Sequence, residues 1–588
     1  MQTTAHRVSA RHRPLLGLSY ALAQMIMMLV LVEPIRNLGW TTGFRGFFSS
    51  DQLSYAAIAT NVASGDLRLV EPLTQTGTSF YPSAWYFLLG LVSGLTSLSV
   101  PTVWTLLGLG AAGGAVALLG WGAVRVSGLA WAPLLPALAL LTGTWSSFSA
   151  GDWFTQLSTH AVLWGPYGSL FALNGEAIGL MLGACAVALA LLCTAGVLES
   201  ARAHRAAMLI AAGITGALAN VHTYAFLTTA SLMAAFIAIW ALRTYRSRSR
   251  TALTLALVSL VLLLGQWLAA AVGPLPTFAL LLCALLPSVL ALVRAHLRMA
   301  LLLVAVLAVT SGFQVIRTVL GLATGDEFLL FRQTDSSNLS VQWDKSLLAV
   351  LPVAVIGLLA AWLLRAQHAR AFTSLLMALP AGAVVMAAND LWGFDQEPYR
   401  FWLQYFVVGS LLISIVLARG LASLRGQQGA QRLVKLGVVG AAVLVWASSL
   451  IDFIGFRDFA RDAGVIQTQT AQLQAAARLL QEHPGLVLSS RCLDPQVLKL
   501  AAAVPVVYFN QGLAWPAAKD DFLIFQDRGR RAGEDVVALT KARVQHVLTD
   551  SACAGDWTFP PGWRVIPVDS EPYQGDQAQS LTLHRVDQ

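Results

Sequence analysis

The stretch FFSSDQLSYAAIATNVASGD, residues 47–66, comes shortly after the apolar run LLGLSYALAQMIMMLVLVEPI. Asp51 therefore stands where a chain poor in charge leaves an apolar segment. Two readings compete for it. SSDQ has the form of a capping box, with Ser49 at the N-cap and Gln52 three residues on, and an acid there suits the positive end of a helix. A carboxylate in the same place can also act as a general base, taking a proton from an attacking hydroxyl if it is fixed within hydrogen-bond reach. A short acid at the start of a helix lying along a membrane surface meets that need.

Other stretches hold candidate polar groups. DQEPYRF puts Asp395, Glu397, Tyr399 and Arg400 just before an apolar run. Pro398 suits a helix start, and a guanidinium near the surface can hold a phosphate through two parallel hydrogen bonds, with Glu397 orienting it. A purely structural Arg–Glu pair or a headgroup contact is the alternative. Arg332 and Asp335, in FRQTDSS, repeat the idea more weakly. ALANVHTYAF places Asn220 and His222 in a tight turn between apolar runs, where polar groups are costly unless partnered. His222 is a candidate for phosphate or acceptor binding, against a packing role. Asp152, in AGDWF, is a candidate for a cation or a sugar hydroxyl, against capping or solvation; His160 and Trp164 follow it. No DxD, HExxH, GxSxG or paired-histidine pattern occurs in these loops. No obligatory metal is expected, and a divalent ion is left open.

The elements that must position these groups are set by hydrophobicity. Of 588 residues, 56% are hydrophobic and 12% charged, against roughly 25% charged in an ordinary soluble protein. Mean hydropathy is +0.65. This is a polytopic α-helical membrane protein. The net charge of +8 resides in short loops between apolar runs, which marks cytoplasmic loops and gives no support to nucleic-acid binding. The first apolar run lacks a clear small-x-small cleavage site and is read as a retained helix with a cytoplasmic N-terminus. At roughly 20 residues per crossing, about 13 spans are expected, beginning near residues 15, 101, 128, 175, 206, 223, 251, 275, 299, 347, 371, 400 and 435. The basic loops ESARAHR, RTYRSRSR, RAHLR, RAQHAR and RGLASLRGQQGAQRLVK all face the cytoplasm only if the apolar stretch 81–100 does not cross. That stretch, with Tyr and Trp at its start, Gly90 and Gly94 within and Pro101 after it, is read as interfacial.

The chain is thus expected to divide into a membrane domain, residues 1–454, and an extracytoplasmic α/β domain, residues 455–588. In the latter LVLSS, PVVYF, HVLTD, WRVIPV and SLTLHRV alternate with helical stretches, which suggests a partly parallel sheet. Cys492 and Cys553 lie there, and either a disulfide or two thiols is compatible with the sequence. The cysteines at 185, 193 and 283 read as packing residues.

Taken together, SSDQLSY, the two interfacial stretches, QEPYRF and the tail with HVLTDSACAGDW resemble the GT-C superfamily of membrane glycosyltransferases. The resemblance implies a GT-C-like fold and a polyprenyl-phosphate sugar as donor and co-substrate. It also implies an envelope glycan, lipid or protein as acceptor. The transfer would be inverting: Asp51 is the base, and Arg400, with Glu397, Tyr399, His222 and Asp152, binds substrate over a single cavity on the outer face. Asp51 has no acidic neighbour, unlike members with paired acids, which bears on metal use and sugar class. The competing readings are a transporter or flippase of a lipid-linked precursor, which would show two similar halves with broken helices, and a non-catalytic envelope scaffold.

Overall fold

The structure is a computed structural model. It describes residues 43–45, 49–129, 132–140, 161–198, 200–334, 341–364, 370–422, 451–460, 464–526, 540–557 and 565–586 without 574–578, together with scattered residues outside these stretches. The expected spans near 15 and 435, and Asp152, His160 and Asp335, lie outside the described residues.

The chain forms two compact units, and they cross the division expected from composition. One comprises Met1–Leu31 and Gly108–Phe459; the other comprises Val32–Leu107 and Ala460–Gln588. Residues 32–107 thus fold with the C-terminal tail.

The first unit is helical. Among the described residues six helices are long and apolar enough to cross a membrane: Val100–Ser127 (which begins in the second unit), Gly175–Thr194, Thr223–Tyr245, Arg248–Val272, Leu297–Ala323 and Arg370–Ala387. A seventh crossing is available if Pro274–Cys283 and Leu286–Ala295 act together across their 53° bend. The sequence suggests one uninterrupted span there. Pro287, in the first turn of the second piece, supplies no N–H to the preceding helix and favours the break. Leu263, Trp267, Val309 and Phe313 lie bare on two of the long helices. In water such apolar faces would be unfavourable by about 25 cal/mol per Å²; hydrocarbon removes that penalty. This is a multi-pass membrane protein. Cys283, expected to be a packing residue, is exposed, whereas Cys185 and Cys193 are buried.

Side-chain caps set several helix starts. Asn174 accepts from the Ala177 N–H, Ser200 from Ala203 and Ser247 from Arg250. Each cap satisfies one of the N–H groups a helix start leaves unpaired.

In the second unit the helix Ser49–Ala63 packs against Ala84–Thr96. Gly90 permits that approach, since a Cβ there would meet the Ala59 carbonyl and the Val62 side chain. The 84–96 helix has 13 residues, about 20 Å of rise, short of the roughly 30 Å hydrocarbon core. The tail carries a four-stranded mixed sheet. Val487–Leu488 runs parallel to His546–Asp550, which pairs antiparallel with Ser580–Val586, which in turn pairs antiparallel with Val565–Pro572. Cys492 and Cys553 form a disulfide.

Loop and tail are knitted together by main chain as well as side chain. Gly43–Arg45 pairs antiparallel with Val465–Gln467, Val506 N–H donates to the Leu73 carbonyl at 2.9 Å, and Thr78 bridges to Trp515. Glu71 and Lys499, one from each segment, are fully buried. Glu71 accepts from Thr74 N–H at 2.6 Å and the Thr74 hydroxyl at 2.7 Å. Among the described residues Lys499 Nζ donates only to the Ala503 carbonyl, at 3.5 Å. Burial pushes the ammonium down to about 7, against the pull of Glu71 and Asp66. Burial likewise pushes Glu71 up to about 7, against hydrogen bonds from Thr74 and Leu73.

The pH window follows from these shifts. Between pH 7 and 10.5 Lys499 is neutral when folded and charged when unfolded, so the unfolded chain binds the extra proton and stability rises with pH. Glu71 acts between 4.5 and 7, where the folded chain binds the extra proton and stability falls as pH rises. From pH 7.5 to 9 the Lys499 effect therefore stands alone for this pair, at roughly 1–2 kcal/mol. The melting temperature of the purified protein should climb across that interval, and Lys499→Met should remove this part of the climb. An identical slope in both proteins would contradict the assignment.

Candidate functional site

In the first unit the residues singled out around position 400 converge, together with one that was not. His222 ends the helix Ala201–Val221 and caps Thr223–Tyr245, its Nδ1 accepting from the Ala225 N–H at 3.3 Å. That bond leaves the proton of the neutral ring on Nε2, which lies 3.8 Å from Glu176 Oε1. Burial and the Arg400 guanidinium push His222 down to about 3, so the neutral ring is the form present near pH 7. Gly179 allows the close packing here: a Cβ would come 2.6 Å from that of Ala225 and 3.3 Å from that of His222.

Glu397 is the hub. Tyr399 Oη donates to it at 2.7 Å, Tyr224 Oη at 3.2 Å, and Arg400 Nε closes the ion pair. Burial raises the Glu397 carboxyl, but Arg400 and the hydrogen bonds from Tyr399 and Arg400 outweigh it and leave the group below its ordinary value. Arg400 Nη1 lies 3.6 Å from Glu176, and the guanidinium sits over the rings of Tyr224 and Tyr399 at 5.4 and 5.7 Å. The Arg400 side chain keeps 24% of its surface exposed while both carboxylates are buried. The cluster is therefore a cation held between two acids and two aromatic faces, with part of the Arg400 side chain left exposed. Asn389 shapes the loop that delivers it, accepting from the Gln396 N–H at 2.7 Å. Arg332 acts on Glu397 through its charge alone.

Asn220, the neighbour of His222 in the sequence reading, has a packing role. Its amide donates to the Thr310 carbonyl at 2.6 Å and accepts from Gln314 N–H at 3.2 Å, tying Ala201–Val221 to Leu297–Ala323. Trp164 packs on Phe456 and Phe459.

Asp51 lies in the second unit, exposed in the first turn of Ser49–Ala63. Its Oδ1 accepts from the Asn510 amide at 3.0 Å. Ser54, one turn on, accepts from Gln496 at 2.7 Å and Asn510 at 3.3 Å, and Gln496 also donates to the Ser50 carbonyl at 2.7 Å. Tyr55 stacks on Tyr81 and Tyr86 at 5.1 and 4.9 Å. Burial, Tyr81 and Asp51 hold the Tyr55 hydroxyl well above its ordinary value.

Glu176, Asn510, Gln496 and the tyrosine stack were not foreseen. Glu176 carried a usable signal, an ionisable group in the first turn of an apolar helix. The tail amides carried none, because their partners are more than 440 positions away. Among the described residues, Glu482, His483 and Asp569 form a trio that could hold a metal ion. It contains none of the residues named above as candidates.

No protein-family model and no curated protein matches the chain. Solved structures similar to it include ArnT from Cupriavidus metallidurans bound to undecaprenyl phosphate (14% identity, 97% of each chain, TM-score 0.47) and the Archaeoglobus fulgidus oligosaccharyltransferase in the apo form (13% identity, 90% of this chain and 69% of that one, TM-score 0.45). The arabinofuranosyltransferase AftD from Mycobacteria is 14% identical, with 97% of this chain matching 40% of that one at a TM-score of 0.46.

Removing the Arg400 cation strands two buried carboxylates, a loss of about 3–5 kcal/mol. Arg400→Ala should lower the melting temperature in detergent by several degrees, and Arg400→Lys by less. An unchanged melt for Arg400→Ala would show that the ion pairs carry no stability.

Proposed function

We propose that the chain is a membrane glycosyltransferase that moves a sugar from a polyprenyl-phosphate donor to an envelope glycan, lipid or protein acceptor on the outer face. The observation that carries this reading is Asp51. One carboxylate oxygen is tied to an amide, the other has no partner among the described residues, and the group is exposed in the first turn of its helix.

In the reaction, the free oxygen of Asp51 takes the proton of the acceptor hydroxyl. The hydroxyl oxygen then attacks the anomeric carbon as the bond to the phosphate oxygen breaks. The electron pair leaves with the lipid phosphate, and a single displacement inverts the configuration. Arg400, with Glu397, Tyr399 and His222 around it, is assigned to bind the phosphate. No metal is assigned a step. The disulfide supports an oxidising compartment for the tail, and hence an extracytoplasmic orientation.

One feature favours transport instead, the bent pair Pro274–Cys283 and Leu286–Ala295. The only charged residue in either piece is Arg294, so the bend lacks the ionisable groups that mark a coupling site.

Asp51→Asn keeps the size and polarity of the side chain and removes the base. It should lower turnover of a labelled polyprenyl-phosphate sugar by about 10²–10⁴-fold at normal expression and elution volume. Wild-type turnover in that variant would defeat the assignment of Asp51.

A further inference from the structure

We infer that Asn510, in the C-terminal tail, positions Asp51 for proton abstraction; this rests on reading Asp51 as the base. The amide has a fixed orientation. Its Oδ1 accepts from the Gly512 N–H at 3.0 Å, so its Nδ2 must face the first turn of Ser49–Ala63. There it donates to Asp51 Oδ1 at 3.0 Å and reaches Ser54 Oγ at 3.3 Å.

The turn itself is pinned from the same side. Gln496 is buried and donates to Ser50 O and Ser54 Oγ, both at 2.7 Å. Its own backbone N–H is held by the Asp494 cap at 2.8 Å. Two amides of the tail thus fix both the backbone that carries Asp51 and the rotation of its carboxylate. An exposed aspartate otherwise samples several rotamers, and a base off its line of approach loses rate steeply. With Oδ1 occupied, Oδ2 is the oxygen presented to an acceptor hydroxyl.

The test uses the full chain in detergent or nanodiscs. Asn510→Ala should lower kcat about tenfold or more and leave KM within about twofold. Asn510→Asp, which can still accept from Gly512 but opposes Asp51 with a like charge, should lower kcat further. It also serves as the informative variant should Asn510→Ala fail to fold. Unchanged kcat, with Asp51→Asn inactive, would overturn the role of Asn510 alone. Full activity in Asp51→Asn would overturn the base itself.

Discussion

The arrangement depends on one constraint: residues 32–107 and the C-terminal tail, far apart in sequence, make a single folded unit. A two-stranded pairing, a carbonyl of residue 73 capturing the N–H of residue 506, and a bridge between Thr78 and Trp515 hold them together. Loop residues that would otherwise be free to wander are ordered by contacts that only the tail can supply. Ordering a backbone residue costs roughly 1–2 kcal/mol, so a precisely held acid on an exposed loop needs such a partner.

The same economy of placement governs the cluster around Arg400. A charge in an apolar surrounding must be paired and hydrogen-bonded. Glu397 receives three donors, and Arg400 is flanked by Glu176 and two rings. The neutral His222 adds no charge, its Nδ1 accepting from the Ala225 N–H and its Nε2 lying 3.8 Å from Glu176 Oε1. The Arg400 side chain is the one member of these ion pairs that keeps appreciable exposure.

Much of this was legible in the sequence, for definable reasons. The membrane helices announce themselves by hydropathy. His222 stood out through the cost of a polar residue in a turn between apolar runs, and Glu397, Tyr399 and Arg400 through their cluster just before an apolar run; only the resemblance grouped them. Composition could not reveal that residues 32–107 belong with the tail, because long-range pairing leaves no local signature. For the same reason Asn510 and Gln496 were invisible. The break near Pro287 was hidden inside an apolar run that reads as continuous. Asn220 shows the opposite failure: a costly polar residue whose partner is a neighbouring helix, not a ligand.

The most direct measurement is the stereochemical course of transfer. The purified protein would be given a polyprenyl-phosphate sugar labelled with ¹³C at its anomeric carbon, and the product followed by NMR. A single displacement driven by one carboxylate base predicts a new glycosidic carbon of opposite configuration, with free lipid phosphate released in equal amount. A product of retained configuration, or lipid-linked sugar left intact across a panel of donors and acceptors, would contradict the account.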